Sequence, residues 1–240
     1  MCAVWLCAPS ARPVAEVEPW VALWQSKGYL VSLWRDPGAG VPENADVVTV
    51  APYPGWAVAA NTLIRDAFRS DLGCDWVVTA GDDTEPDLCH TADEISDQCS
   101  AHFYHQMLHL LGGQASKIPD TFGVMQPTGD RWSDHLGVII ERICGSPFLG
   151  REFCRRINQG TGPFWNGYRH NWADEELQLV AQKLGVLWQR PDLIHLHRHS
   201  LRHPGGKWQP HQQGFSADYR EFQPLVRARK AAGFPGSQPA

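Results

Sequence analysis

The segment Cys74–Asp87, CDWVVTAGDDTEPD, constrains the fold more than any other stretch of this chain. Its apolar run Trp76-Val77-Val78-Thr79-Ala80 has the length and β-branched content of a buried strand. The run stops at Gly81 and passes at once into Asp82, Asp83, Glu85 and Asp87. In an open α/β sheet, ligands bind beyond the carboxyl ends of the strands. Adjacent carboxylates there are costly unless a cation neutralises them. Hard divalent ions such as Mg²⁺ and Mn²⁺ take oxygen ligands and bridge to the phosphates of a nucleotide. The pattern predicts metal-assisted handling of a phosphorylated substrate. A solvated acidic turn between Gly81 and Pro86 is the competing reading.

Upstream of this segment the pattern alternates. Val4–Ala8 reads as a strand. Val17, Val21 and Trp24 mark one face of a helix ended by Gly28. Tyr29–Trp34 and Asp46–Val50 read as strands, and Ala57–Phe68 as a helix. The order β-α-β-β-α-β predicts a three-layer α/β sandwich with a mostly parallel sheet. Downstream, a helix over Ala92–Leu111 carries His102, His105 and His109 on one face, read as solvated rather than metal-binding. Phe122–Gln126 reads as a strand, and Ser146–Asn158 as a turn followed by a short basic helix. Gly160–Trp172, rich in Gly, Pro and aromatics, has the composition of a binding loop. Asp174 to Leu184 is helical, Val186–Trp188 and Leu193–Leu196 are strand-like, and His195, His197 and His199 follow at a period of two.

Composition bounds the partners. No run approaches the roughly 20 apolar residues that span a membrane. Nor does the first stretch carry a basic start followed by a long apolar segment. The seven cysteines show no CxxC pair, and Cys7, Cys74 and Cys144 fall in or beside apolar runs. An intracellular, reduced, cytoplasmic protein is expected. Net charge is −5, but Ile194–Ala240 carries seven Lys/Arg against Asp218 and Glu221. This basic stretch suggests either a polyanionic partner or a disordered tail. Beyond about His203 the expectation is extended chain with a short helix near Tyr219–Ala232. Several of the eleven tryptophans, Trp132, Trp165, Trp172 and Trp208, sit in loop-like sequence where an indole can stack on a sugar or base.

Over roughly residues 3–199 the arrangement resembles the GT-A class of nucleotide-sugar glycosyltransferases. Three features carry the resemblance: an α/β half ending in GDDTEPD, a helix opened by ADEEL after an aromatic loop, and a late histidine in HLHRH. The resemblance implies a DxD-like motif followed by Pro86-Asp87, with Gly81 in place of the first Asp. Asp83 would then be a metal ligand and Asp82 would face the ribose or sugar. His197, with His195 second, would complete a Mn²⁺ or Mg²⁺ site. Asp174, then Glu175, would be the general base of an inverting transfer. A UDP-sugar, UDP-glucose by default, would meet Pro9, Ser10 and Arg12, Asp36, and Asn61.

Residues 1–200 would form the catalytic domain, with 1–90 for the nucleotide-sugar and 91–200 for the acceptor, and 201–240 a basic extension. The segments TFGVMQPTGDRW, GREFCRRIN and VAQKLGVLWQR are similar to small bacteriophage glycosyltransferases, some of which act on hydroxymethylated pyrimidines. That similarity, with the Arg151/Arg155/Arg156 cluster, makes 5-hydroxymethylcytosine in double-stranded DNA one expected acceptor. A saccharide, lipid or protein acceptor is the alternative. A metal-dependent nucleotidyltransferase or phosphohydrolase, and a non-catalytic binding module, are further readings of the same residues.

Overall fold

The computed structural model describes residues 3–110, 121–130, 143–198 and 212–237. The first half follows the expected order: β1 (Val4–Pro9), α1 (Val14–Gln25), β2 (Tyr29–Arg35), β3 (Val47–Val50), α2 (Trp56–Arg69) and β4 (Trp76–Thr79). β1 pairs in parallel with β2 on one side and β4 on the other, and β2 pairs in parallel with β3. The chain therefore steps outward from β1 to β3 and returns past it to β4. Right-handed crossovers in opposite directions place α1 and α2 on opposite faces of the sheet. Val17, Trp20, Val21 and Trp24 form the buried stripe of α1, and Ala57, Ala60, Leu63, Ile64 and Ala67 that of α2. Val4–Ala8 is buried throughout, as a central strand covered on both faces requires.

After β5 (Thr84–Glu85), the second half contains α3 (Ala92–Leu110), β6 (Val124–Pro127), β7 (Phe148–Gly150) and α4 (Arg151–Arg156). Then follow α5 (Ala173–Lys183), β8 (Leu187–Arg190), β9 (Leu196–His197) and α6 (Gln212–Ala231). The main sheet has the order β3-β2-β1-β4-β7-β6-β8 among the described residues. Only β7 runs antiparallel to its neighbours, β4 and β6. The sheet is mostly parallel, as expected. The inserted β7 was hidden in Ser146–Asn158, because three residues are too few for a periodicity to show.

Cys7, Cys74 and Cys144 are buried, and burial pushes their thiols up, that of Cys74 to about 12. They are core residues rather than nucleophiles. On α3, His102 is not a solvated side chain. Its ring stacks on Trp188 at 4.0 Å, and burial lowers its pKa. The side chain of His109 lies outside the described residues.

Among the described basic residues near the C-terminus, Arg220, Arg227 and Lys230 are exposed. α6 is longer than the short helix expected, and its Arg229 is buried. Arg229 donates to both carboxylate oxygens of Glu176, at 2.8 and 2.6 Å. Arg198 pairs with Glu85. In the arginine cluster of α4, Arg155 and Arg156 both pair with Glu152, at 2.8 and 3.0 Å, and Arg151 faces Asp75 at 3.6 Å. Arg202 and Lys207 lie outside the described residues. None of the described helices is long and apolar enough to cross a membrane.

Candidate active site

The loops after β1, β2 and β4 meet at the carboxyl edge of the sheet. Asp82 accepts a 2.7 Å hydrogen bond from Ser10 Oγ and faces Arg12 Nε at 3.1 Å. Burial pushes the Asp82 carboxyl up, against the pull of Arg12 and Ser10. Behind this pair lies Arg35, the last residue of β2 and fully buried. Its guanidinium donates to Ser10 O and Oγ, to Arg12 O, and to the Ala39 and Gly40 carbonyls. One side chain thus shapes both the first loop and the turn after β2. The sequence reading missed Arg35, ending the strand one residue before it. An arginine closing an apolar strand was the available signal.

Pro9 ends β1 in register with Trp34. Asp36 accepts the Tyr53 N–H at 2.8 Å, and its own carbonyl accepts from Ala39, so it organises a turn. Asn61 is turned away from this loop cluster. It is buried, bonded to Phe164 O, Phe164 N–H and Asn166 Oδ1, and so ties α2 to the aromatic loop. At the start of the same helix Gly55 has φ +104°, and a Cβ there would stand 2.8 Å from Arg169 O. Both the conformation and the close approach require glycine.

The acidic loop and the late histidines come together because β5 and β9 pair antiparallel, Thr84 opposite His197. Asp83 Oδ1 lies 3.1 Å from His197 Nε2, and both side chains are partly buried. The Arg198 N–H donates to Asp83 O at 2.8 Å, and the His197 N–H donates to Asp130 Oδ2 at 3.2 Å. Asp130, too, was missed from sequence, lying in a loop with no recognisable spacing to the histidines. A Cβ on Gly81 would approach Asp83 Oδ1 to 2.6 Å. Glycine at position 81 therefore makes room for the Asp83 carboxylate.

His195 does not join His197. Its ring is buried against Trp24 at 5.2 Å and Phe148 at 5.7 Å, and Nδ1 lies 2.8 Å from Ser146 Oγ. Burial lowers its pKa to about 4, so the imidazole is neutral. The period-two argument fails because the strand begins only at Leu196. His199 lies outside the described residues.

Asp87 joins the two halves of this site. Its carboxylate accepts from the backbone N–H of Cys89, His90 and Ile194 and lies 2.9 Å from His90 Nδ1. Burial pushes this carboxyl up, but the hydrogen bonds outweigh it and the pKa falls below 3.8. The sign follows. A depressed carboxyl contributes stability that is complete above the ordinary value and lost as pH falls through the folded one. Asp87→Ala is expected to cost about 2–3 kcal/mol in urea unfolding at pH 7. The deficit against the parent should shrink toward pH 2; a constant deficit would refute the assignment to charge.

Asp174 and Glu175 stand in the first turn of α5, after the aromatic loop. Asp174 is only partly exposed. Burial raises its carboxyl, opposed by the Glu175 N–H at 2.9 Å and by the charge of His197. The preceding Trp172 has φ +78°, a left-handed conformation rare for a bulky side chain. Such strain persists where the surroundings impose it, commonly at sites of function.

The donor set suits a divalent cation of intermediate hardness, one carboxylate oxygen and one imidazole nitrogen converging at a loop edge. No group of three His, Cys, Asp or Glu converges among the described residues. Asp83 and His197 could hold such an ion.

These parts define an α/β protein with a carboxylate–imidazole pair at the carboxyl edge of its sheet. No protein-family model matches the chain, and no curated protein matches it. Among solved structures it is similar to the catalytic domain of Drosophila β1,4-galactosyltransferase 7 in complex with xylobiose, at 15% identity and TM-score 0.46, covering 89% of this chain and 79% of that one. A variant of the same protein, in complex with manganese, UDP-Gal and xylobiose, gives 14% identity and TM-score 0.47, covering 89% and 79%. A glycosyltransferase involved in glycosylation of the major capsid of PBCV-1 gives 10% identity and TM-score 0.31, covering 63% and 61%.

Proposed function

We propose that the chain is a metal-dependent, inverting glycosyltransferase that moves a sugar from a nucleotide-sugar to a hydroxyl acceptor. The observation that carries this is the approach of Asp83 to His197 at 3.1 Å, beside an Asp82 anchored to the first loop. Asp83 and His197 would hold Mn²⁺ or Mg²⁺. A cation there supplies charge neutralisation to the diphosphate leaving group. Asp82, Ser10 and Arg12, shaped by Arg35, line the donor side. Asp174 takes the proton of the attacking hydroxyl, with Glu175 the second candidate. A base on the face opposite the leaving group gives inversion. In this reading residues 1–200 are the catalytic domain and 201–240 an extension, tied to it through Arg229 and Glu176.

The donor is a UDP-sugar, with UDP-glucose and UDP-galactose the first to try. The acceptor is defined only as a hydroxyl. A DNA acceptor draws no support from Arg155, Arg156, Arg198 or Arg229, since each is engaged by a carboxylate. The test incubates the protein with Mn²⁺, each UDP-sugar, and either hydroxymethylcytosine DNA or xylobiose. UDP release and the mass of each acceptor are followed. UDP release abolished by EDTA and cut about 100-fold or more by Asp83→Ala is expected. A hexose-sized gain identifies the acceptor. Formation of UMP instead of UDP would replace this reading with nucleotidyl or phosphohydrolase chemistry.

A further inference from the structure

Trp20 and Trp24, one turn apart on α1, aim their indole N–H groups at one atom. Both donate to the carbonyl oxygen of Thr84, at 2.6 and 3.1 Å. Thr84 is buried and follows Asp83 directly. Such convergence is not automatic for buried indoles here: Trp76 donates to Ser100 Oγ, Trp34 to Ala51 O, and Trp5 Nε1 has no hydrogen-bond partner. A carbonyl oxygen accepts two hydrogen bonds, so the two indoles saturate it.

We infer that Trp20 and Trp24 are positioning residues for the metal site, fixing the aim of Asp83 through the Thr84 carbonyl. The inference rests on the reading of Asp83 and His197 as ligands. β5 is two residues long and pairs with a two-residue β9, too little ladder to hold itself rigid. Around Asp83 the backbone is fixed at two further points: Thr84 N–H to Gly81 O at 3.0 Å, and the pairing of β5 with β9, which includes Arg198 N–H to Asp83 O at 2.8 Å. The indoles supply the remaining anchor, and it comes from the rigid body of the fold. Trp24 is itself wedged by the rings of Tyr29 at 4.9 Å and His195 at 5.2 Å. The buried His195 thereby has a place in the site, as a brace for Trp24.

The arrangement predicts a redundancy. Removing one indole donor leaves the carbonyl with the other. Removing both leaves a buried carbonyl with no partner, which the local backbone relieves by turning. Asp83 then loses its aim toward His197. Loss of groups that orient ligands weakens metal affinity by about 10–100-fold.

The experiment measures the Mn²⁺ dissociation constant of the full chain by calorimetry, and free Mn²⁺ by electron paramagnetic resonance. The parent is compared with Trp20→Phe, Trp24→Phe, the double variant, and a chain carrying benzothienylalanine at both positions. The last is an indole isostere without the N–H, so packing is kept and the result does not depend on the double Phe variant folding. Each single variant is expected within about threefold of the parent, and the benzothienylalanine chain about 10–100-fold weaker while still folding cooperatively, with a melting temperature lowered by no more than about 10 °C. Parent-like affinity in that chain overturns the inference while leaving the metal reading intact. No Mn²⁺ binding by the parent removes the metal reading, and the inference with it.

Discussion

Asp174→Asn is expected to cut sugar transfer by about 10²–10⁴-fold while leaving the chain at least as stable as the parent. The two halves of this result have one cause. Burial raises the Asp174 carboxyl above 3.8, because the charged form gives up water it does not recover. A raised carboxyl contributes most to stability while protonated, below its unfolded pKa, and that contribution is lost as pH rises through the folded value. At neutral pH the ionised Asp174 therefore strains the fold, and asparagine relieves it. The amide still accepts the Glu175 N–H that Asp174 Oδ1 now holds. It cannot accept the acceptor's proton. In the parent, the acid limb of the pH–rate profile should be displaced upward from that of an unburied aspartate, since the base works only when ionised. Transfer by the asparagine variant at the parent's rate would remove Asp174 from the chemistry. A melting temperature well below the parent's would instead mean that the carboxylate holds the loop together.

Glu176→Ala should destabilise the protein by about 3–5 kcal/mol, because it leaves the buried Arg229 guanidinium unpaired. For a chain of this size that corresponds to a fall in melting temperature of roughly 6–20 °C. The carboxylate accepts from Arg229 twice, from Tyr168 Oη at 2.7 Å and from Ser237 Oγ at 3.1 Å. Arg229 also lies 3.8 Å over the Trp165 ring. Burial alone would push the guanidinium down, but its bonds to Glu176 carry it above its ordinary value. Replacing both partners, as Glu176→Met with Arg229→Met, should recover most of the loss, since the penalty belongs to the orphaned charge. If the double variant is no better than Glu176→Ala, the pair contributes directly and the desolvation argument fails. Glu176 sits two residues after Asp174, so the single variant should also depress transfer more than it affects Mn²⁺ binding.

What could be read from the sequence divides along the range of the interactions involved. β1, β2, β4 and the helices between them carry their burial in their own periodicity, and the bounds expected for β1, β2, β4 and α2 are met to within one residue. The acidic loop was legible because Gly81 and four carboxylates sit together after a strand. So was the pairing of Asp83 with one of the late histidines, which came from the family resemblance. The resemblance named His197 first, and His197 is the one that faces Asp83; the second choice, His195, fails because it precedes a two-residue strand, and no pattern of that length announces itself. Arg35 and Arg229 were illegible for another reason. A charged residue gives no sign of burial until its acceptors are known, and those of Arg229 lie 53 residues away on α5. Asn61 looked like a donor contact because it sits just past a strand-end turn, whereas its amide fits a loop more than 100 positions downstream.

The short pairing of β5 with β9 also orders events in time. The sheet from β3 to β4 is assembled from neighbouring βαβ units, all within the first 80 residues. The meeting of Glu85 with Arg198 spans 113 positions and is held by few contacts. Closing so long a loop carries an entropic penalty that only a formed framework offsets. A growing chain would therefore own a finished sheet from β3 to β4 well before it owned a carboxylate facing an imidazole. The meeting of Asp83 with His197 would come late, after the strand carrying His197 has found its seat.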